Sequence, residues 1–195
     1  QIRLLLEAYG YNEPRLLEGK RLHQEAQALQ DAQKKEYRDR AMATAELGDF
    51  RRQVMNRYMR TLKIARVAFK NHPQAGQTLN LFGDRQRSFS GCLEQARSFY
   101  SGTLNQAEFR TVIAQYGYSA EKLQEEAALL DQLEAKCLQQ KKKTEEAMAA
   151  TRSRDTKISE LAHYVSGLRA IAKIALDDHP LQLGKLGLLS MSGSI

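Results

Sequence analysis

Glu160 and His163 stand three residues apart, so on a helix they share one face, the spacing with which carboxylate-bridged di-iron bundles hold a metal. Such a centre needs a second Glu-x-x-His pair and two more carboxylates facing it. Sliding the chain along itself until Tyr9 falls on Tyr116 puts Gln53 and Asn56 at the matched positions, and these cannot supply them. His72 and His179 also coincide in that register, each followed by proline. A histidine at the end of a long helix can meet the exposed carbonyls and the negative helix end, and the proline then stops the helix. That reading needs no site. No nucleophile–base pairing, glycine-rich phosphate loop or dinucleotide fingerprint occurs. The sequence therefore predicts no catalytic residue, no metal ligand and no cofactor.

The cations carry the one functional asymmetry. Net charge is +7, and residues 50–71 hold Arg51, Arg52, Arg57, Arg60, Lys63, Arg66 and Lys70 without an acidic residue. Arg57, Arg60, Lys63 and Arg66 step by three along a slowly drifting helical stripe. A stripe of this kind suits a phosphate backbone or an acidic protein. The competing reading is internal: Glu121, Glu125, Glu126, Asp131 and Glu134 crowd a second helix that an antiparallel packing would bring alongside. Few aromatics are interleaved with the cations, which argues against specific single-strand recognition.

Positioning any of these groups falls to helices. Apolar residues make up 42% and charged residues 27%, with three prolines and no tryptophan, a mixture that suits long helices joined through narrow seams. Cys92 and Cys137 are too few for a disulfide framework and match no metal spacing, which points to a reducing, cytoplasmic setting. No stretch reaches the ~18 apolar residues of a membrane span. The chain opens on Gln1 in what reads as mid-helix, which leaves two alternatives: the protein has lost the piece ahead of it, or an upstream segment was removed.

The same register lays Tyr9-Gly10-Tyr11 on Tyr116-Gly117-Tyr118 and His72-Pro73 on His179-Pro180 without a gap. Between them Gln33-Lys34-Lys35 falls on Gln140-Lys141-Lys142, Ala43-Thr44 on Ala150-Thr151, and Ile64-Ala65 on Ile171-Ala172. Low-complexity helices slip freely by a turn, so an ungapped register points to duplication. One elongated all-α domain over 1–195 is expected, with repeat unit one at 1–83 and unit two at 86–190. Phe89–Leu104, ahead of the second unit, has no counterpart ahead of the first.

Each unit reads as a short helix, a Tyr-Gly-Tyr joint and a very long helix. Asn105 and Glu108 form a capping-box pattern opening one short helix. Gly10 and Gly117 suit left-handed corners, and Asn12 and Ser119 suit N-caps. In the second long helix Leu123, Leu130, Cys137, Thr144, Thr151, Ile158, Val165 and Ala172 recur at sevens, with Ala127, Met148 and Ala162 filling in. Such a helix would run about 90 Å and requires a coiled-coil-like antiparallel partner. Breaks at 47–49 and 154–156 would turn each long helix into a hairpin; the unbroken seam favours continuity. The main core is expected at the apolar ends, Val54 to Phe69 and Ile158 to Leu176. Phe89, Leu93, Ala96, Phe99 and Tyr100 form a shorter amphipathic helix able to fold back on that region.

The run from the Tyr-Gly-Tyr joint through Gln-Lys-Lys and Ala-Thr to "IARVA" or "IAKIALDDHP" resembles an uncharacterised bacterial group of duplicated all-helical proteins. The resemblance implies long helices and supplies no activity and no functional residue. The expected function is a non-enzymatic structural or protein-interaction module, with an unknown protein partner or self-association. Nucleic-acid or polyanion binding through 51–70 is the alternative, and a metal-dependent helical-bundle enzyme the weakest. The two endings differ in "KN" against "DD", so packing is kept while charge diverges.

Overall fold

Asn12 and Ser119 each precede a run of strong helix formers, and each side chain accepts the backbone N–H three residues on, from Arg15 at 3.2 Å and Lys122 at 3.3 Å. Ahead of each cap the chain turns on a left-handed glycine, Gly10 at φ +85° and Gly117 at φ +79°. A computed structural model describes residues 2–188; Gln1 and residues 189–195, with the ends of the expected domain and of repeat unit two, lie outside them. Among the described residues there are seven helices and no strand: α1 Ile2–Glu7, α2 Glu13–Ala68, α3 Pro73–Thr78, α4 Phe89–Asn105, α5 Ala107–Ala114, α6 Ala120–Ala175 and α7 Pro180–Lys185.

The two long helices are unbroken over 56 residues each. Gly48 meets nothing that a side chain would contact and costs the helix only about 1 kcal/mol relative to alanine, too little to open a hairpin. In the register that lays Tyr9 on Tyr116, the bounds of α2 fall on those of α6 and the bounds of α3 on those of α7. Among the described residues no helix is long and apolar enough to cross a membrane.

The chain forms two compact units, and each takes the start of one long helix and the end of the other. In unit 1 (residues 2–39 and 144–188) α2 and α6 run antiparallel: Lys157 Nζ meets Glu25 Oε2 at 3.1 Å and Thr151 Oγ1 donates to Tyr37 Oη at 3.3 Å. Tyr164 donates to the Arg15 carbonyl at 2.7 Å and meets Tyr11 edge to face at 6.1 Å. Glycine permits this approach, since a Cβ on Gly19 would lie 2.3 Å from the Tyr164 ring. The small core gathers Leu6, Tyr11 and Ala172, with Leu16, Leu168 and Ile171 half-buried around it.

In unit 2 (residues 40–143) the same two helices again run antiparallel, with Lys136 Nζ 3.6 Å from Glu46 Oε2 and Gln140 Nε2 donating to Thr44 Oγ1 at 3.1 Å. Here α4 lies over both. Ser88 caps it by accepting from Gly91 N–H, and its Leu93, Ala96, Phe99 and Tyr100 are buried against Val54, Tyr58, Leu62 and Leu130. Tyr58 meets the Phe99 ring at 5.8 Å and Tyr100 at 6.1 Å. Burying two such rings makes this the dominant core.

Four expectations need correction. Asn105 is the last residue of α4 and bonds back to Ser101, so α5 starts behind Gln106 with no side-chain cap. The seam of α6 does run through Leu123, Leu130 and Ala172, but it is filled from three residues on, by Glu126, Leu133 and Ala147, while Met148 is exposed. A heptad alternates steps of three and four, and here the step of three comes first. Val67 and Ile174 point to solvent at 61% and 59% exposure, because both lie on the face away from the partner helix. Pro73 and Pro180 do not stop the long helices, which end at Ala68 and Ala175; each opens the next short helix, where a missing N–H costs nothing.

Candidate functional site

The seven cations of residues 51–70 do not stay together. Arg51 lies over the Phe89 ring at 4.9 Å and Arg52 pairs with Asp49 at 3.2 Å. Arg66 is half-buried, its Nε donating to the Leu81 carbonyl at 2.6 Å, so it holds the loop behind α3. Lys63 and Lys70 are exposed. Arg57 and Arg60 remain, on the edge of a groove in unit 2.

That groove is built from two stretches the antiparallel packing brings together. From α2 come Arg57, Arg60 and Ile64; from the corner ahead of α6 come Tyr116, Gly117 and Tyr118, with Lys122 and Glu126 following on the helix. Lys122 Nζ sits over the Tyr118 ring at 3.8 Å and donates to the Gly117 carbonyl at 3.2 Å, which fixes its charge at the groove mouth. Three cations and an aromatic wall suit an acidic group, a carboxylate or a phosphate.

Three members of the acidic cluster expected to neutralise the stripe are used elsewhere. Asp131 and Glu134 both accept from Arg97 of α4, at 2.9 and 2.7 Å. Glu126 is buried at 8% exposure, and its Oε2 accepts from Thr61 Oγ1 at 2.6 Å and from Tyr100 Oη at 2.9 Å. Burial first, and then the Glu126 charge, hold the Tyr100 hydroxyl far above the usual tyrosine range. Burial likewise raises Tyr58. Arg57, Arg60 and Lys63 make no ion pair among the described residues, so the groove keeps an open positive edge.

In unit 1 the position matched to Lys122 is Arg15, over the Tyr11 ring at 4.2 Å, so the cation–aromatic corner occurs in both units. The residues facing it differ. Tyr164 and Gly167 stand where unit 2 has Arg57 and Arg60, and the groove there is lined by Tyr164, Gly167, His163 and Glu160. Glu160 is held by Lys157 Nζ at 2.6 Å. Among the described residues no cluster of three His, Cys, Asp or Glu could hold a metal. His72 lies 3.8 Å from Glu108, and its backbone, rather than its ring, closes the turn ahead of α3. Cys92 and Cys137 are unpaired.

Compared with protein families, curated proteins and solved structures, the chain matches none. The functional reading therefore rests on its own residues. Sequence reasoning found Arg57 and Arg60 but missed Lys122 and Tyr118, which reach the groove only through the helix pairing. It also missed the Thr61–Tyr100–Glu126 cluster. The signal was present: Glu126 occupies a seam position between Leu123 and Leu130, where a carboxylate needs partners.

Proposed function

We propose that the chain is a non-enzymatic protein-interaction module built from two duplicated helical units. One observation supports it most. At matched positions of the two units the parts that make the fold recur, namely the glycine corner, the N-cap, the cation over tyrosine and the His-Pro joint. The solvent-facing residues around those parts have diverged in charge, as Lys70 and Asn71 against Asp177 and Asp178 show. Duplicated scaffolds that keep packing and vary surface serve recognition. Two unpaired cysteines support a cytoplasmic setting.

Crosslinked capture from cells making the protein tests this, comparing wild type with Arg57→Glu/Arg60→Glu and with Val165→Glu. A saturable protein partner lost with one surface variant is expected; recovery indifferent to both, or a turnover by the purified chain, contradicts the reading. The open cations Arg57, Arg60 and Lys63 favour a second reading, polyanion binding. Duplex DNA titrated at low salt would then bind with an affinity falling steeply as salt rises, and the double Arg→Glu variant would lose it.

A further inference from the structure

Three cations of the unit 2 groove keep their charge unpaired among the described residues, because the one carboxylate that lines it with them is held back. Arg57 and Arg60 stand three apart on α2, both exposed, and Lys122 reaches the same groove from α6. Glu126 lines it too, yet its Oε2 accepts from both Thr61 and Tyr100, so the carboxylate stays down in the core instead of rising to an arginine. Glu121, the next acid on the corner, is turned back on its own backbone N–H and on Ser119, which hold its carboxyl below the usual range. Lys122 is fixed in place by the Gly117 carbonyl and the Tyr118 ring.

Three cations against one carboxylate leave the groove two positive charges in excess. A carboxylate ligand would cancel one of them. A phosphate monoester carries about −1.5 to −2 near pH 7 and offers three oxygens to the planar arginine forks. The excess is also local. Arg51, Arg52 and Arg66 are engaged by Phe89, Asp49 and the Leu81 carbonyl, and Lys63 and Lys70 do not line the groove. A duplex presents a row of singly charged phosphates that a track of cations must follow, whereas this groove offers one cluster. Its wall adds apolar surface for a stem bearing the phosphate, namely Ile64, half-buried, and the Tyr116 ring at 45% exposure. The matched groove of unit 1 lacks the excess. Glu18 and Glu160 balance Arg15 and Arg21 there, and Tyr164 and Gly167 stand in the places of Arg57 and Arg60.

We propose that the unit 2 groove binds a phosphate monoester on an apolar stem, the phosphorylated tyrosine side chain of a partner protein. The inference rests on the interaction-module reading and names the group that its surface selects. Arg57 and Arg60 grip the phosphate oxygens, Lys122 adds a fixed point charge, and Ile64 and Tyr116 flank the ring of the ligand.

The probes are N-acetyl phosphotyrosine amide, its sulfated analogue of the same shape with a single negative charge, and inorganic phosphate, each titrated calorimetrically against the full chain. The phosphotyrosine probe is expected to bind at least about tenfold tighter than the other two. It should weaken about tenfold in Arg57→Gln or Arg60→Gln and keep its affinity in Arg15→Gln of unit 1. Equal affinity for the sulfated probe overturns the proposal, since charge then decides nothing. Equal affinity for inorganic phosphate overturns it as well, because a free phosphate is then the ligand. So does binding that ignores both arginine variants, or duplex DNA that displaces the phosphotyrosine probe through the same arginines. If no probe binds while cellular capture still yields a partner lost with Arg57→Glu/Arg60→Glu, the phosphate falls and the interaction module stands. Circular dichroism of the variants, all at exposed positions, confirms that they are folded.

Discussion

Replacing Phe99 with alanine should destabilise unit 2 by about 3–5 kcal/mol, the usual cost of truncating a fully buried aromatic. Phe99 is 1% exposed and touches two other rings, Tyr58 at 5.8 Å and Tyr100 at 5.2 Å, so no single neighbour can collapse into the space. The loss falls on the contact that holds α4 down. Urea unfolding followed by helical circular dichroism measures it, with Phe99→Leu as the milder control. A loss under about 1 kcal/mol would mean that α4 is not seated as described.

The second large effect is electrostatic. Glu126 lies beneath α4 with both hydroxyls on one oxygen, and the single Thr61 proton goes to it at 2.6 Å rather than to the Arg57 carbonyl at 3.1 Å. Thr61→Val or Tyr100→Phe alone leaves one donor and should cost about 1–2 kcal/mol. Together they strand a buried carboxylate, and the double variant should lose about 3–5 kcal/mol, more than the singles sum to. Strict additivity would show that the hydroxyls act independently and that water or backbone satisfies Glu126. Alkaline titration gives a companion check. Tyr100 keeps its proton in the fold while the unfolded chain loses it near pH 10. Below about pH 10 both states are protonated and the shift contributes nothing. Above it the unfolded state binds fewer protons and stability falls. Tyr100→Phe should soften that alkaline fall.

The caps and corners were legible because they depend on one or two residues each: Gly10 and Gly117 must take positive φ, and Asn12 and Ser119 must accept an N–H. Helix continuity through Gly48 was legible for a related reason, since the seam on either side keeps its phase. The return of α4 onto the end of α2 followed from its aromatic stripe. What packing decides was not legible. The apolar residues Val54 to Phe69 and Ile158 to Leu176 look alike in sequence, yet the first set makes a core under α4 and the second leaves Ile158 and Ile174 exposed. Composition does not reveal which apolar end has a cover. The cations are a second instance. Their fate depends on partners far along the chain, Phe89 for Arg51, the Leu81 carbonyl for Arg66 and Tyr118 with Lys122 beside Arg57.

That contrast makes amide hydrogen exchange across matched segments the most direct test of the unequal packing of the two long-helix ends. Residues 51–69 of α2 lie beneath α4 and should exchange only through the full unfolding of unit 2. Residues 158–176 of α6, their counterparts in the register that lays Tyr9 on Tyr116, have no such cover among the described residues and should open locally and exchange at least about tenfold faster. Equal protection of the two segments in the isolated chain would contradict the account, because the second face would then already be closed.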